Sequence, residues 1–367
     1  MSGDDGTPLA RLLREDIRRW GAMPLSQFMG DCLFHPEFGY YTRQPAIGAE
    51  GDFITAPEIS QIFGELIGLW CAVVWQQMGA PARINLIELG PGRGTLMSDA
   101  LRSAKAVPAF GAALHVHLVE FNRTLRETQK ARLGDQASVT WHESWPDALG
   151  DEPTIVVGNE FLDAMPIDQM VCRHGRWLLR EVDVDDDGAF VLIDGREMES
   201  DEFASSAEGD IRETSDAQDD IIGLIAEHAR RAPTAALFID YGYLGDEAGD
   251  TLQGVRRHRY VPPFATPGET DLTAHVNFSH IRRTAEQFGL TVDEPTTQAE
   301  FLGALGMIER ASKLISSNPA KAGEIEAGVA RLMAPNGMGG RFKAIGLRSG
   351  TLPPLPGFAV SRARGST

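Results

Sequence analysis

Apolar and polar positions along the chain follow two rhythms, and the change comes at Pro81. Before it the spacing is helical: Leu9 to Trp20 reads as an amphipathic helix that ends at Gly21. Ile59 to Met78 resumes the helical period with Ile62, Phe63, Leu66, Ile67, Trp70, Val73 and Val74. Between these two helices the sequence is tight and turn-rich, from His35 through Tyr41 to Gly51-Asp52-Phe53-Ile54-Thr55-Ala56-Pro57-Glu58. After Pro81 strand-like and helix-like stretches alternate, the order of an α/β sheet. Seven strands are predicted, at 84–89, 115–120, 138–142, 154–158, 235–240, 290–294 and 341–347. The run Thr154-Ile155-Val156-Val157 is continuously apolar, as a strand covered on both faces is.

Three further stretches complete the organisation. Val171 to Ile193 alternates around Asp185-Asp186-Asp187-Gly188 and predicts an inserted antiparallel hairpin. Phe301 to Ile315 and Ala320 to Met333 predict helices, and the tail from Ser349, with Pro353, Pro354 and Pro356, predicts an extended or mobile end. The expected division is an N-terminal helical cap over 1–80 and an α/β core over 81–348, followed by a flexible tail over 349–367. The core would carry insertions at about 170–220 and about 298–335. No internal repeat is visible.

Chemistry enters at the end of the first core strand. Ile84-Asn85-Leu86-Ile87 leads into Glu88-Leu89-Gly90-Pro91-Gly92-Arg93-Gly94, and Thr95 to Lys105 then sets Leu96, Met97, Ala100, Leu101 and Ala104 on one helical face. Strand, glycine loop and helix make a nucleotide-cofactor turn, because glycine lets main chain take positive φ and approach a ligand without a Cβ between. A dinucleotide loop wants Gly-x-Gly-x-x-Gly before a helix aimed at pyrophosphate. Here the third glycine arrives one residue early, and Glu88 would repel a pyrophosphate but favour a cation. S-adenosylmethionine, with its sulfonium and amino group, suits such an acid. Glu120, closing the strand His115-Val116-His117-Leu118-Val119, is placed to accept ribose hydroxyls. A tight turn with no ligand is the weaker account of three glycines and two strand-end acids.

Composition narrows the class. With 43% hydrophobic residues in 367, a sizeable core can be buried. Cys32, Cys71 and Cys172 stand apart, with no Cys-x-x-Cys pair, so neither a disulfide framework nor a metal site is suggested. The start, Met-Ser-Gly-Asp-Asp-Gly, has neither a signal core nor an Arg-rich presequence, and no apolar run nears the ~20 residues of a membrane span. The expectation is a cytoplasmic protein without membrane insertion. The formal charge of −18 is concentrated: residues 181–220 hold sixteen acids against Arg196 and Arg212. The body is thus nearly neutral, which argues against nucleic-acid binding. The acidic segment reads as a solvated hairpin and loop, or as a collar attracting a basic protein.

Four motifs occur in order: Gly51-Asp-Phe-Ile-Thr-Ala-Pro-Glu58, Glu88-Leu-Gly-Pro-Gly-Arg-Gly-Thr95, Asn159-Glu-Phe-Leu-Asp-Ala-Met-Pro166 and Pro267-Gly-Glu-Thr-Asp-Leu-Thr-Ala-His275. Together they resemble the MidA family of S-adenosylmethionine-dependent methyltransferases, whose mitochondrial members methylate an arginine on a respiratory complex I subunit and support assembly of that complex. The likeness runs from about Leu25 to about Arg348. It implies a class I methyltransferase fold, a Rossmann-like seven-stranded α/β sheet whose last strand runs antiparallel. It also implies protein-arginine methylation, with a complex I subunit as a candidate partner; a homodimer is compatible with it. Two departures stand out. Asn277 occupies a position where the family pattern has an acid, and the Arg-rich presequence of mitochondrial members is missing, which favours a bacterial-type cytoplasmic enzyme.

An arginine acceptor sets its own chemical demand. A guanidinium with a pKa above ~12 is a poor nucleophile, and a pair of carboxylates can grip its planar fork and aim one nitrogen at the methyl group. Such acids belong at the carboxyl end of the fourth strand, where Asn159, Glu160 and Asp163 fall. A helix-start acid is the weaker account of Glu160, while for Asp163 the two accounts stand nearer to even. His275, in a turn-rich stretch, is the base candidate, against an ordinary structural histidine. Cofactor contacts are assigned to Gly90, Gly92 and Gly94, then Glu88 and Glu120, with Glu143 and Ser144 near the adenine, Asn159 at the fourth strand and Thr55 from the cap. No metal is called for: His115 and His117 share a strand face without a third ligand. A small-molecule methyltransferase, or a non-catalytic assembly factor that binds the cofactor, fits the same fold.

Overall fold

Seven strand-forming runs lie side by side in one sheet: Ile84–Leu89 (β1), Leu114–Val119 (β2), Ser138–His142 (β3), Thr154–Asn159 (β4), Thr234–Tyr243 (β5), Thr291–Thr297 (β6) and Phe342–Arg348 (β7). Their order is β6-β7-β5-β4-β1-β2-β3, with β1 to β5 parallel and β7 antiparallel to both neighbours. The chain therefore builds outward from β1 in one direction and restarts at β4 in the other. That reversal opens a crevice at the carboxyl ends of β1 and β4, the place where such sheets bind ligands. The sheet has eight strands rather than the expected seven. Val276–Asn277 adds on parallel to the end of β5, made possible by Gly242, where a Cβ would stand 2.0 Å from the Val276 carbonyl oxygen.

The computed structural model describes residues 6–43, 55–134, 138–145, 150–198, 207–245 and 249–358. By contact the chain forms two units, each from three segments. One is Met1–Phe53, Asp163–Asp220 and Asp246–His275; the other is Ile54–Leu162, Ile221–Gly245 and Val276–Thr367, which holds the eight-stranded sheet. The expected cap over 1–80 is thus divided, helices Pro8–Trp20 and Leu25–Phe34 falling in the first unit and Gln61–Gln77 in the second.

In the second unit the strands bury both faces. Leu86, Ile155, Val157, Leu237 and Ile239 face one apolar layer with Ile62, Phe63, Leu96 and Met97 from the flanking helices. Ile87, Leu89, Val156, Ala236 and Phe238 face the other, against Phe278, Ile281 and Ala285. Alternation along each strand sends successive side chains to opposite layers, and each fully buried large side chain is worth ~1.5–3 kcal/mol. Helix Gln61–Gln77 crosses Thr95–Ala104 at close range because it presents Gly64 and Gly68. A Cβ at Gly64 would lie 2.6 Å from Asp99 Cβ, and one at Gly68 2.5 Å from the Ala100 carbonyl oxygen. Buried Glu65 ties the crossing to a third helix through Arg102 (3.0 Å) and Arg310 (2.8 Å). The tail expectation is corrected for residues 349–358. Leu352, Leu355 and Phe358 are buried, and Trp70 Nε1 donates to the Pro356 carbonyl at 3.0 Å. Residues 359–367 lie outside the described residues.

The first unit carries the inserted hairpin. Arg176–Val184 pairs antiparallel with Phe190–Met198 around Asp185 to Gly188, where Gly188 takes φ 83° and Asp185 N–H donates to the Ala189 carbonyl at 2.9 Å. Asp168–Arg173, Ile211–Thr214 and Met23–Pro24 complete that sheet. Gln253–Arg256, Arg259–Val261 and Asp271–Thr273 form a separate three-stranded sheet. Leu9, Leu13, Ile17, Phe28, Val182 and Leu272 share this unit's core. Among the described residues no helix is long and apolar enough to cross a membrane.

Candidate active site

The loop after β1 is held open by backbone conformation. Gly90, Gly92 and Gly94 take φ of 61°, 52° and 74°, values that L side chains rarely adopt. Space enforces the same choice at Gly90, where a Cβ would meet the Phe161 ring at 2.8 Å. Gly90 N–H donates to the Val119 carbonyl (3.1 Å) and Gly94 N–H to that of Pro91 (2.8 Å), so β1, β2 and the loop are cross-tied. Gly94 then serves as the left-handed N-cap of helix Thr95–Ala104.

Two acids flank this loop, both buried. Glu88 is 3% exposed, and its Oε2 has no hydrogen-bond partner. Burial, and then the charge of Glu120, push its carboxyl up to about 8. An orphaned, buried carboxylate oxygen is costly unless a ligand completes it. Glu120 is pushed up to about 7 by burial, against the lowering effect of its hydrogen bonds. Those come from Asn122 N–H (2.9 Å) and Gln129 Nε2 (3.4 Å).

Gln129, which sequence reasoning misses, is fully buried and braces the loop from helix Arg123–Leu133. Its Nε2 donates to the Gly92 carbonyl at 2.7 Å, and its Oε1 accepts from Trp141 Nε1 at 2.9 Å. Nothing in the local pattern marks one polar side chain among the many on that helix.

Across the crevice, β4 ends in Asn159 and Glu160. Glu160 stands at φ 50°, strained for a residue with a Cβ. Its N–H donates to the Ile239 carbonyl (2.9 Å), and its Oε1 accepts from Ala56 N–H (2.8 Å) and Asn159 Nδ2 (3.2 Å). Asn159 Oδ1 is buried without a hydrogen-bond partner. The turn is pinned from β5 by Asp240, whose Oδ2 accepts from Phe161 N–H (3.0 Å) and Leu162 N–H (2.8 Å). Thr55 caps the short helix Ala56–Ile59 by position and makes no side-chain cap bond. Glu58, on that helix, accepts a hydrogen bond from the Thr95 hydroxyl at the start of the loop's helix. Of the motif starting at Gly51, residues 51–54 lie outside the described residues.

The remaining candidates scatter. Glu143 is exposed at the end of β3 and ion-paired with Arg126 at 2.8 Å; Ser144 is also exposed. Asp163 and His275 belong to the first unit. Asp163 is buried in the turn Leu162–Ala164, and its carbonyl accepts from Ala274 N–H at 3.1 Å. His275 is exposed, its N–H donating to Thr251 Oγ1 at 2.9 Å. Asn277 works locally, since its Oδ1 accepts from His280 N–H at 3.0 Å and caps helix Phe278–Gln287. His117 contacts His142 (3.0 Å) and Asn85 (3.2 Å), and burial, then His142, push it down to about 4. Neutral imidazoles packed on a sheet are the result.

Glycine cradle, flanking acids and a sheet reversal between β1 and β4 coincide with one family's pattern: that of the S-adenosyl-L-methionine-dependent methyltransferases matches residues 66–296. The chain belongs to this family. Its cofactor is S-adenosylmethionine, and the orphaned Glu88 oxygen beside three positive-φ glycines fits a cationic group of that kind.

Relatives of this methyltransferase include the mitochondrial protein arginine methyltransferase NDUFAF7 homolog of Drosophila melanogaster, 34% identical over 96% of this chain and 88% of that one. NDUFAF7 of Homo sapiens is 33% identical over 93% and 83%. A solved structure from Burkholderia thailandensis, a candidate methyl transferase bound to S-adenosyl-homocysteine, superposes with a TM-score of 0.84 at 31% identity, covering 97% of this chain and 95% of that one. The cytoplasmic expectation is corrected, because the relatives are named as mitochondrial proteins.

Proposed function

We propose that this methyltransferase acts on an arginine side chain of a protein, and that a respiratory complex I subunit is the first substrate to test. The observation that carries the reading is Glu160. A carboxylate is held at the carboxyl end of β4 by the Ala56 N–H and the Asn159 amide, on a residue at φ 50°. Strain maintained at a crevice edge by the surrounding hydrogen bonds supports a functional role over a capping one. A fixed carboxylate is what an arginine acceptor needs, since it localises charge on one guanidinium nitrogen and turns another toward the donor. The relatives named as protein arginine methyltransferases support the same substrate class.

In this reading the Gly90–Gly94 main chain receives the methionine end of the cofactor, Glu88 faces its positive groups and Glu120 accepts the ribose hydroxyls. Asn159, with its orphaned Oδ1, adds an acceptor at β4. The cofactor, when bound, supplies an activated methyl group on a positively charged sulfur. Asp163 and His275 remain candidates for a second acid and a base, to be tested by substitution; both belong to the first unit, where the Ala274 N–H donates to the Asp163 carbonyl.

Incubation with radiolabelled cofactor and cell lysate tests the proposal. Label on arginine in a discrete protein band is the expected result, and a complex I subunit is the band to identify first. Label confined to the small-molecule fraction would transfer the activity to another substrate class.

A further inference from the structure

Strands Gln253–Arg256 and Arg259–Val261 close on only two residues, because Arg256 pairs directly with Arg259. Those two, Arg257 and His258, hold left-handed φ of 50° and 59°. A two-residue turn with both φ positive favours Asn-Gly. Arginine and histidine there sacrifice turn geometry for side chains. The tip reads Arg256-Arg257-His258-Arg259-Tyr260 in a chain of net charge −18. Arg256 is tied to Glu269. Arg257 and Arg259 are exposed and, among the described residues, no carboxylate pairs with either. Tyr260 is 77% exposed, more than any other large hydrophobic side chain described. The inner strand of the hairpin pairs with Asp271–Thr273, which leads directly to Ala274 and His275.

We propose that this tip is a docking element for a short acidic stretch of the protein that carries the acceptor arginine, an inference that rests on the protein-arginine activity proposed above. Two unpaired guanidiniums beside an exposed phenol match a carboxylate-bearing peptide. Arginine binds carboxylates in a bidentate fork, and arginine and tyrosine supply much of the energy at protein interfaces. Charge distribution favours a peptide over a larger polyanion. Residues 181–220 carry sixteen acids against two arginines in the same unit. A chain this acidic overall disfavours an extended polyanion, and the activity proposed above makes the partner a protein. The substrate would then be read by two features of opposite sign, a cationic acceptor and an acidic docking stretch.

The test titrates a fluorescein-labelled oligo-glutamate peptide with the full chain and with the Arg257→Glu/Arg259→Glu variant, followed by anisotropy. Both substitutions lie at an exposed tip, and unchanged calorimetric affinity for S-adenosylmethionine verifies the fold. Saturable binding that the double reversal weakens about tenfold or more, and that added salt also weakens, supports the proposal. Equal binding by the variant overturns it, as does no binding by the native chain. Tighter binding of a single-stranded oligonucleotide of matched charge, or of anionic vesicles, overturns it in favour of another partner. Labelled-lysate methylation separates the two readings. Native chain that binds the peptide but labels no arginine refutes the activity and leaves the docking site. Arginine labelling that is equal in chain and variant refutes the docking site and leaves the activity.

Discussion

If Glu88 receives a positively charged group, cofactor affinity must depend on pH in a calculable way. Its carboxyl is pushed up to about 8, so at neutral pH the ligand-free site holds a proton that a cationic ligand displaces. Each unit of pH below that value costs about 1.4 kcal/mol of deprotonation. Affinity should therefore rise roughly ninefold from pH 6 to 7, about fivefold from 7 to 8 and about twofold from 8 to 9. Glu120, pushed up to about 7, steepens the lower half of the curve, and the two acids titrate as a pair.

Stability must move in the opposite sense. The folded value lies above the usual 4.5, so the folded state binds more protons across that interval. The contribution is full below about 4.5 and is lost as pH rises through about 8, on the order of 4–5 kcal/mol for this group. Cofactor should thus raise the melting temperature little at pH 6 and strongly at pH 8. Calorimetry in buffers of differing protonation enthalpy reads the linkage directly. Glu88 alone should release close to one proton per ligand at pH 7, and Glu88→Gln should remove that release and the slope above pH 7, leaving only the Glu120 contribution below it. A flat affinity from pH 6 to 8.5 with no proton release would refute the assignment of Glu88 to a cationic ligand.

Other parts of the site give separable outcomes. Gly92→Val should abolish S-adenosylmethionine binding in calorimetry, because a branched side chain at φ 52° is strained and fills the cradle; unchanged affinity would remove the loop from the site. Glu160→Gln should leave cofactor affinity within about twofold while lowering kcat by ~10²-fold or more. An undiminished rate would return that residue to a capping role. Gln129→Ala should cost about 2–4 kcal/mol in denaturant unfolding, since the Gly92 carbonyl and Trp141 Nε1 both lose a partner, and should weaken cofactor binding as the loop loosens. A variant of native stability would show that water replaces the amide.

The glycine loop and its flanking elements were legible in the sequence because their information is local. Strand Ile84–Leu89, three positive-φ glycines and helix Thr95–Ala104 occupy one continuous stretch, and period and glycine spacing specify it without reference to the rest of the chain. The features that escaped are those made by distant segments. Val276–Asn277 is two residues long, too short to carry a period, and joins the sheet only because Gly242 leaves room for it. Leu352, Leu355 and Phe358 sit among prolines that suggest an extended tail, yet they are buried against helices met only after folding. Gln129 braces the loop from 37 residues away, and Asp240 pins the Phe161–Leu162 turn from the next strand. Asn159, Glu160 and Asp163 appear as one motif in the chain, but the boundary between units falls between Leu162 and Asp163. Glu160 is fixed within the unit that carries the glycine loop, and Asp163 is bonded within the unit that carries His275. The positive φ at Glu160 turns the chain out of the sheet, and Asp240 holds that turn at the point in the chain where one unit ends and the other begins.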